Sequence, residues 1–387
     1  MTKRPDPERP LYVLVATPAG LGGQGGIDRI MGTLKAELER QARRDIDVRF
    51  YASRGSGLTI LSVFYMLGFC LRMTAAHLTG RCDIVHINLS SFGSTYRKLF
   101  IARWARLLGI PYVLHLHGAE YQTFWTSGRS LLANRIRAMF ENAGRVVVLG
   151  RIWADFVARR APAAAGRIDI VPNAAPAPSA RHIGGGDRVH ILFLGRLGKR
   201  KGVPQLIAAL EHMGDLPGWR ATIAGDGEVE ETREQIARLG LAGRVDLPGW
   251  VDPDDVARLI ATADILTLPS FAENLPVSVI EGMAAGLAVV TTPVGAVSDI
   301  VRDGESGLLV APGDVEALTV ALTTLTVDEQ LRARLGHAAR QVHRERLDPE
   351  PFAAALIRCW RSAGRKMPGV VDVAAPGSPA SYPPNEG

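Results

Sequence analysis

The sequence predicts an α/β chain of two domains, each built on a parallel sheet, and three observations lead there. Short apolar runs of strand length alternate with segments of helical spacing along most of the chain, a rhythm that lays strands side by side in one direction. At 387 residues the chain is too long for one typical domain, and with 47% hydrophobic residues it can bury more than one core. Between Asn173 and Asp187 the composition turns to Ala, Pro, Ser and Gly without hydrophobic periodicity, which reads as a linker. The expected division is therefore 1–172, a linker over 173–188, and a second domain over 189–347. A helical segment follows over 348–366, and a tail over 367–387, rich in Pro, Ala, Gly and Ser, is expected to be disordered.

In the first domain, Leu11 to Thr17 is a β-type run, followed by a glycine-rich loop from Gly20 to Gly26 and a helical pattern from Ile27 to Arg43. Gly20, Gly22 and Gly25 formally match the dinucleotide fingerprint, so an NAD-dependent enzyme is one alternative. Thr17 to Ala19 stand between the apolar residues of the strand and the first glycine, however, and the next strand, Val48 to Ala52, ends at Ser53-Arg54 without an acid for a ribose. The uncharged run from Gly55 to Leu71 is expected to be a buried helix, since it is at the short edge of what spans a bilayer. Further strands are read at Asp83–Asn88, Tyr112–His117 and Arg145–Leu149, with helices from Tyr96 to Leu108 and Ser130 to Asn142. Ligands gather beyond the C-terminal ends of such strands, where His117-Gly118-Ala119-Glu120 lies.

In the second domain, strands are read at His190–Leu194, Arg220–Ala224, Val245–Leu247, Asp264–Leu268 and Val289–Thr291. The first is followed by Gly195-Arg-Leu-Gly-Lys-Arg-Lys-Gly202, four cations in six residues ahead of a helix. Fixed cations near a helix N-terminus suit a diphosphate, because they add to backbone N–H donors already there; a solvated basic loop is the alternative. Gly225-Asp226-Gly227 closes the next strand and by itself is a common turn. The most constraining stretch runs from Pro269 to Gly286. There a strand, a tight loop carrying Glu273 and a helix carrying Glu281 bring two carboxylates near a cluster of N–H groups. Ser278-x-x-Glu281 also reads as a capping box that needs no ligand.

The charge is uneven. Residues 1–180 carry 24 Lys and Arg against 12 Asp and Glu, leaving 21 against 27 for the rest, so the first half is +12 and the second −6. Such a basic half suits a polyanion, an anionic membrane face or a phosphorylated acceptor. Tyr96 to Leu108 places Arg97, Lys98, Arg103 and Arg106 among Leu99, Phe100, Trp104 and Leu107, a basic amphipathic pattern of the kind that lies on anionic membranes. Three cysteines, Cys70, Cys82 and Cys359, form no metal-binding cluster and fit a reducing cytoplasm, and no signal-peptide core follows Met1 to Pro10.

Taken together, Pro269-Ser270, Glu273-x7-Glu281, Met283-Ala-Ala-Gly286, Gly195-Arg-Leu-x3-Lys-Gly202, Gly225-x-Gly227, Leu247-Pro-Gly-Trp-Val251 and Gly25-Gly26-Ile-x-Arg29 resemble the signature of the family-four retaining glycosyltransferases, which have the GT-B fold. The resemblance covers the second domain nearly end to end and is sparse in the first. It implies two Rossmann-like domains with parallel sheets facing across a cleft, and a terminal helix, Pro351 to Ser362, that returns toward the first domain. It also implies transfer of a sugar, with retention, from a nucleotide diphosphate sugar to a hydroxyl, without a metal or other cofactor. Relatives building exopolysaccharide or glycolipid suggest GDP-mannose first and a UDP-hexose second, a lipid-linked saccharide acceptor and a cytoplasmic enzyme peripheral on the inner membrane face, with no nucleic acid partner.

By the same resemblance, Arg196 and Lys201 hold the diphosphate, and Glu281 the ribose. Glu273 holds the donor sugar, with Gly25, Gly26, Gly225, Asp226, Gly227, Val251, Asn274, Leu275 and Pro276 around the donor. His117 and Glu120 meet the acceptor, and His117, Glu273, Arg196 and Lys201 are the catalytic set. Asn274, Leu287 and Asp299 depart from the commoner glycine, proline and glutamate. These departures bear on which donor is used. A phosphorylase or sugar-nucleotide epimerase of the same fold, or a non-catalytic scaffold, are the remaining alternatives.

Overall fold

Tyr112–Leu116 and Ile84–Leu89 are buried at every position. That is what near-continuous apolar runs become when helices cover both faces of a parallel sheet. In the computed structural model, which describes residues 9–364 apart from 22, 24, 56–58, 179–181 and 185, these strands lie inside the first of two six-stranded sheets. The predicted tail over 367–387 lies outside the described residues.

The first sheet contains β1 (Leu11–Thr17), β2 (Ile46–Ala52), β3 (Ile84–Leu89), β4 (Tyr112–Leu116), β5 (Arg145–Val148) and β6 (Ile168–Ile170), in the order β2-β1-β3-β4-β5-β6. Its helices are α1 (Gly26–Arg40), α2 (Ser62–Leu78), α3 (Gly93–Leu107), α4 (Tyr121–Ser127), α5 (Ser130–Glu141) and α6 (Arg151–Arg160). The second sheet contains β7 (Val189–Leu194), β8 (Trp219–Ala224), β9 (Val245–Gly249), β10 (Ile265–Leu268), β11 (Ala288–Thr291) and β12 (Leu308–Leu309), in the order β12-β11-β10-β7-β8-β9. Its helices are α7 (Val203–His212), α8 (Val229–Arg238), α9 (Pro253–Thr262), α10 (Val277–Ala285), α11 (Val315–Val327) and α12 (Glu329–Arg346). All pairings are parallel, as the strand-helix rhythm predicts. The edge strands β6 and β12 are absent from the sequence reading, because three and two residues are too few to show a period.

The last helix, α13 (Pro349–Ala363), packs against α1 and under the first sheet. Its Phe352, Leu356, Ile357 and Trp360 share a core with Val13, Val15, Ile30, Met31 and Leu34. Each such side chain, fully buried, contributes about 1.5–3 kcal/mol. Trp360 Nε1 donates to His86 Nδ1 at 3.0 Å, Arg40 pairs with Glu350 at 3.2 Å, and Arg361 pairs with Asp45. The chain thus passes between the domains twice. The two crossings touch where Ala175 N donates to Leu347 O at 3.2 Å and the His343 ring meets Ala175 O at 2.8 Å.

Two surface expectations are corrected. The helix expected to be buried over the uncharged run is α2, and only Ser62, Met66, Phe69, Cys70 and Met73 face inward. Phe64 and Leu71 stand 69% exposed, with Val63 and Leu67 beside them. Nor does α3 present four cations to solvent. Lys98 is buried with its ammonium on Ser53 Oγ, and Arg97 is half-buried against Ser62. Arg103 and Arg106 do face out, with Tyr96, Phe100 and Leu107. Lys98 lies one helical turn from Thr95 and Ala102 and two from Ala105, which are all buried against the domain. No helix among the described residues is long and apolar enough to cross a membrane.

Candidate active site

In each sheet the strand order reverses once, between β1 and β3 in the first and between β7 and β10 in the second. At such a point the loops leaving two neighbouring strands turn to opposite faces and leave a crevice beyond their C-terminal ends. A cleft of about 710 Å³ opens there between the domains. It is lined by the loop after β1 (Gly25, Gly26), the loop after β3 (Ser90 to Phe92), the loop after β7 (Gly195, Arg196, Arg200 and Lys201) and the loop after β10 (Glu273 to Pro276). Topology alone therefore brings together motifs far apart in sequence.

On the second-domain side, Lys201 Nζ lies 2.5 Å from Glu273 Oε1, which also accepts from Ser270 Oγ at 2.8 Å. Both side chains of the pair are largely buried. Arg200 anchors the same loop through Ala272 O at 2.8 Å. Arg196 differs: its side chain is 71% exposed and is 4.0 Å from Asp226 on the cleft rim, so it is free to reach a ligand. Gly225 and Asp226 line the cleft and Gly227 does not. At Gly225 and Gly227, both at positive φ, a β-carbon would fall 1.8 Å from Gly195 O and 2.3 Å from Leu197 O. A close crossing of two backbone segments thus accounts for both glycines.

The capping-box alternative at α10 is not formed. Pro276 is the N-cap, no side chain caps the helix, and Ser278 lies inside its first turn. Pro276, Val277 and Ser278 line the cleft, so the N–H groups of Val277 and Ser278, which have no partner within the helix, stand at its wall with the positive end of the helix dipole behind them. Glu281 does not line the cleft. Its side chain is 12% exposed and pairs with Arg29, which does line it, at 2.5 Å. Burial pushes the Glu281 carboxyl up to about 7, with Arg29 pulling the other way.

On the first-domain side, His117 follows β4, and its Nε2 lies 2.9 Å from Asn88 Oδ1. The Asn88 amide nitrogen is already committed to Ala16 O at 3.3 Å. The ring must therefore donate from Nε2 and keep Nδ1 as an acceptor. Burial, and then the nearby His86 ring, lower His117 to about 3, so the ring is neutral at physiological pH. His115 is fully buried behind it, with ring centroids 4.0 Å apart. Trp360 donates to His86 Nδ1, and His86 Nε2 lies 3.3 Å from His115 Nδ1. This row of neutral groups carries the position of the last helix to the strand that bears His117. Glu120 lines the cleft beyond it.

Asn274, Leu275, Pro276 and Val251 also line the cleft. Asn274 Nδ2 donates across the domains to Leu116 O at 3.1 Å, and Asn173 Nδ2 to Leu275 O at 2.8 Å. Asp299 Oδ2 accepts from Arg151 N, at the N-terminus of α6, at 2.6 Å. Two of the three departures from the family pattern thus sit on bonds between domains. Arg29 and Trp250, quoted in the sequence motifs without a role of their own, line the cleft, and sequence reasoning missed Asn173 and Phe92. Trp250, 53% exposed in the loop after β9, carried a signal in being an aromatic beside Val251. Phe92, at φ 57°, carried none.

Two family models match the chain. That of the glycosyl transferase 4-like domain covers residues 13–174 and that of glycosyl transferases group 1 covers residues 181–342. Among curated proteins, the 2-deoxystreptamine N-acetyl-D-glucosaminyltransferase of Streptomyces fradiae is 29% identical over 305 residues, 73% of this chain and 72% of its own. The phosphatidyl-myo-inositol mannosyltransferase of Mycolicibacterium smegmatis is 35% identical over 176 residues, 44% of this chain and 45% of its own. Among solved structures, the sucrose-phosphate synthase of Thermosynechococcus elongatus shares the fold with a TM-score of 0.75 at 19% identity, over 91% of this chain and 98% of that one. With a glycosyl transferase model on each half and the cleft between them, the chain belongs to the glycosyltransferases of the GT-B fold.

Proposed function

We propose that the protein moves a hexose, with retention at the anomeric carbon, from a nucleotide diphosphate sugar to a hydroxyl of a lipid-linked saccharide. GDP-mannose is the first choice of donor and a UDP-hexose the second. The observation that carries the reading is the cleft itself, in which Arg196, Lys201 and the uncapped N-terminus of α10 line one wall and neutral His117 lines the other. The cations and helix end offset the charge of the departing diphosphate, the share that a divalent metal carries elsewhere. Glu273, held by Lys201 and Ser270, is placed as a fixed acceptor for donor sugar hydroxyls. His117, with Nδ1 open, orients the incoming hydroxyl. The similarity to a phosphatidyl-myo-inositol mannosyltransferase supports mannose and a lipid acceptor.

The same reading places the enzyme at the inner face of the cytoplasmic membrane. The apolar outer face of α2, together with Arg103 and Arg106 on α3, suits an anionic lipid surface.

The test begins with thermal shift against GDP, UDP, ADP and CDP, since a ligand at ~100 times its Kd adds about 2.7 kcal/mol of stability. The selected labelled nucleotide sugar is then supplied with membrane lipid, and the anomeric configuration of the product is read by NMR. Label entering the lipid fraction with the donor's configuration supports the proposal. Stabilisation by none of the four nucleotides, or label passing only to phosphate or water, overturns it.

A further inference from the structure

We propose that a second cavity, lying wholly on the first domain and opening into the cleft, is an anion subsite that seats a phosphate or diphosphate carried by the acceptor. This deepens the acceptor reading above and rests on it. The cavity has a volume of about 810 Å³ and shares Gly25, Gly26, Ser90 and Ser91 with the cleft wall. An acceptor could therefore keep its reacting hydroxyl in the cleft and its anionic group next door.

Three cations converge on this space, Arg54 after β2 and Arg97 and Lys98 in α3. Among the described residues none of the three has a carboxylate within 4.0 Å. The acid in the wall is Asp28, and both of its oxygens face the Ala19 N–H, at 3.2 and 3.3 Å. Lys98 is 1% exposed and has Ser53 Oγ as its partner. Arg97 Nε and Ser91 Oγ are buried without any partner.

A cluster of like charges with buried, unused donors is costly unless an anion completes it. The burial and the charges act in the same sense: burial, then the neighbouring Arg97, lowers Lys98 to about 7 with Asp28 pulling it back, and burial and Arg54 lower Arg97. A neutral sugar would leave the repulsion in place and an ammonium-bearing acceptor would add to it. A phosphate offers charge and several acceptor oxygens at once. The loop between the two spaces is also the one that holds Phe92 at φ 57°, a conformation non-glycine residues adopt rarely and mostly at functional sites.

The experiment measures inorganic phosphate and pyrophosphate by calorimetry, with GDP or UDP, whichever the protein binds, held at saturation so that the diphosphate clamp is filled. The wild type should bind pyrophosphate saturably at this second place. Arg54→Gln, on an exposed side chain, and Arg97→Gln should each weaken it at least tenfold while nucleotide affinity stays within twofold. Absence of second-site binding, or equal binding in both variants, overturns the proposal. A short prenyl diphosphate in detergent and a hexose 1-phosphate identify the carrier by which displaces pyrophosphate at lower concentration. If pyrophosphate binds through Arg54 and Arg97 but no lipid-linked saccharide accepts sugar, the subsite stands and the acceptor reading falls. If lipid-linked transfer keeps its KM for acceptor in both variants, the subsite falls and the acceptor reading stands.

Discussion

Lys201 Nζ and Glu273 Oε1 meet at 2.5 Å on the floor of the cleft, so two charges expected to serve different parts of the donor are bound to one another before any donor arrives. Removing Glu273 leaves Lys201 largely buried and unmatched, which costs about 3–5 kcal/mol for a buried pair, and removing Lys201 leaves Glu273 with Ser270 and only the more distant Arg200, at 3.9 Å. Lys201→Ala should therefore lose stability as well as nucleotide affinity, and the Lys201→Met/Glu273→Gln double variant should recover much of the stability. Urea unfolding of the wild type, Lys201→Met, Glu273→Gln and the double variant checks this. Additive losses in the double variant would mean that the pair is not coupled. Glu273→Gln alone should keep nucleotide binding and reduce transfer.

Arg196 offers the complementary case, because it is exposed and makes no close pair. Arg196→Ala should leave the melting temperature within a degree or so and weaken nucleoside diphosphate binding by ~1.5–3 kcal/mol, the worth of charge-assisted hydrogen bonds. Calorimetry with a nucleoside diphosphate and the matching monophosphate separates the diphosphate contact from the rest. Equal losses for both ligands would place Arg196 elsewhere.

The Glu281 carboxyl, raised from 4.5 to about 7 by burial, makes stability depend on pH in a defined direction. The folded state holds the proton more tightly than the unfolded one, so the stability tied to it is fully present below pH 4.5 and is lost as pH rises through 7. Glu281→Gln, which cannot ionise, should gain on the wild type between pH 5.5 and pH 8 by a margin on the order of 1 kcal/mol. Arg29→Ala should shift the wild-type loss to higher pH, since Arg29 is what favours the charged form. Melting curves across that range are the check.

Docking on lipid should depend on α2 more than on the full basic set of α3. Phe64→Ser with Leu71→Ser should reduce sedimentation with anionic liposomes. Arg103→Gln with Arg106→Gln should reduce it by about 1 kcal/mol per charge and less in high salt. Changing Lys98, which is buried, should leave it alone. Equal binding to neutral liposomes would count against the charge contribution.

What could be read from the sequence was whatever is encoded locally. The loops from Gly195 to Gly202 and from Pro269 to Gly286 declared themselves through residue type and spacing, and the strand-helix rhythm implied the sheets that place them. Lys98 was misread because the amphipathic pattern of α3 was judged by its charges. The small residues Thr95, Ala102 and Ala105 on the same stripe, which make room for it, were the better guide. The Arg29–Glu281 pair and the Asn274 bond to Leu116 could not be read at all. Each joins two domains, and no local period encodes how separate sheets face one another.

Because α13 completes the core that holds Val13, Val15, Ile30 and Met31, the half of the molecule made first is the half finished last. During synthesis the early sheet must wait, with that apolar face open to water, until the second domain and α13 behind it have left the ribosome. The late domain needs no such delay. A fragment ending near residue 172 should therefore aggregate, whereas the same fragment mixed with a peptide spanning α13 should be rescued into solution.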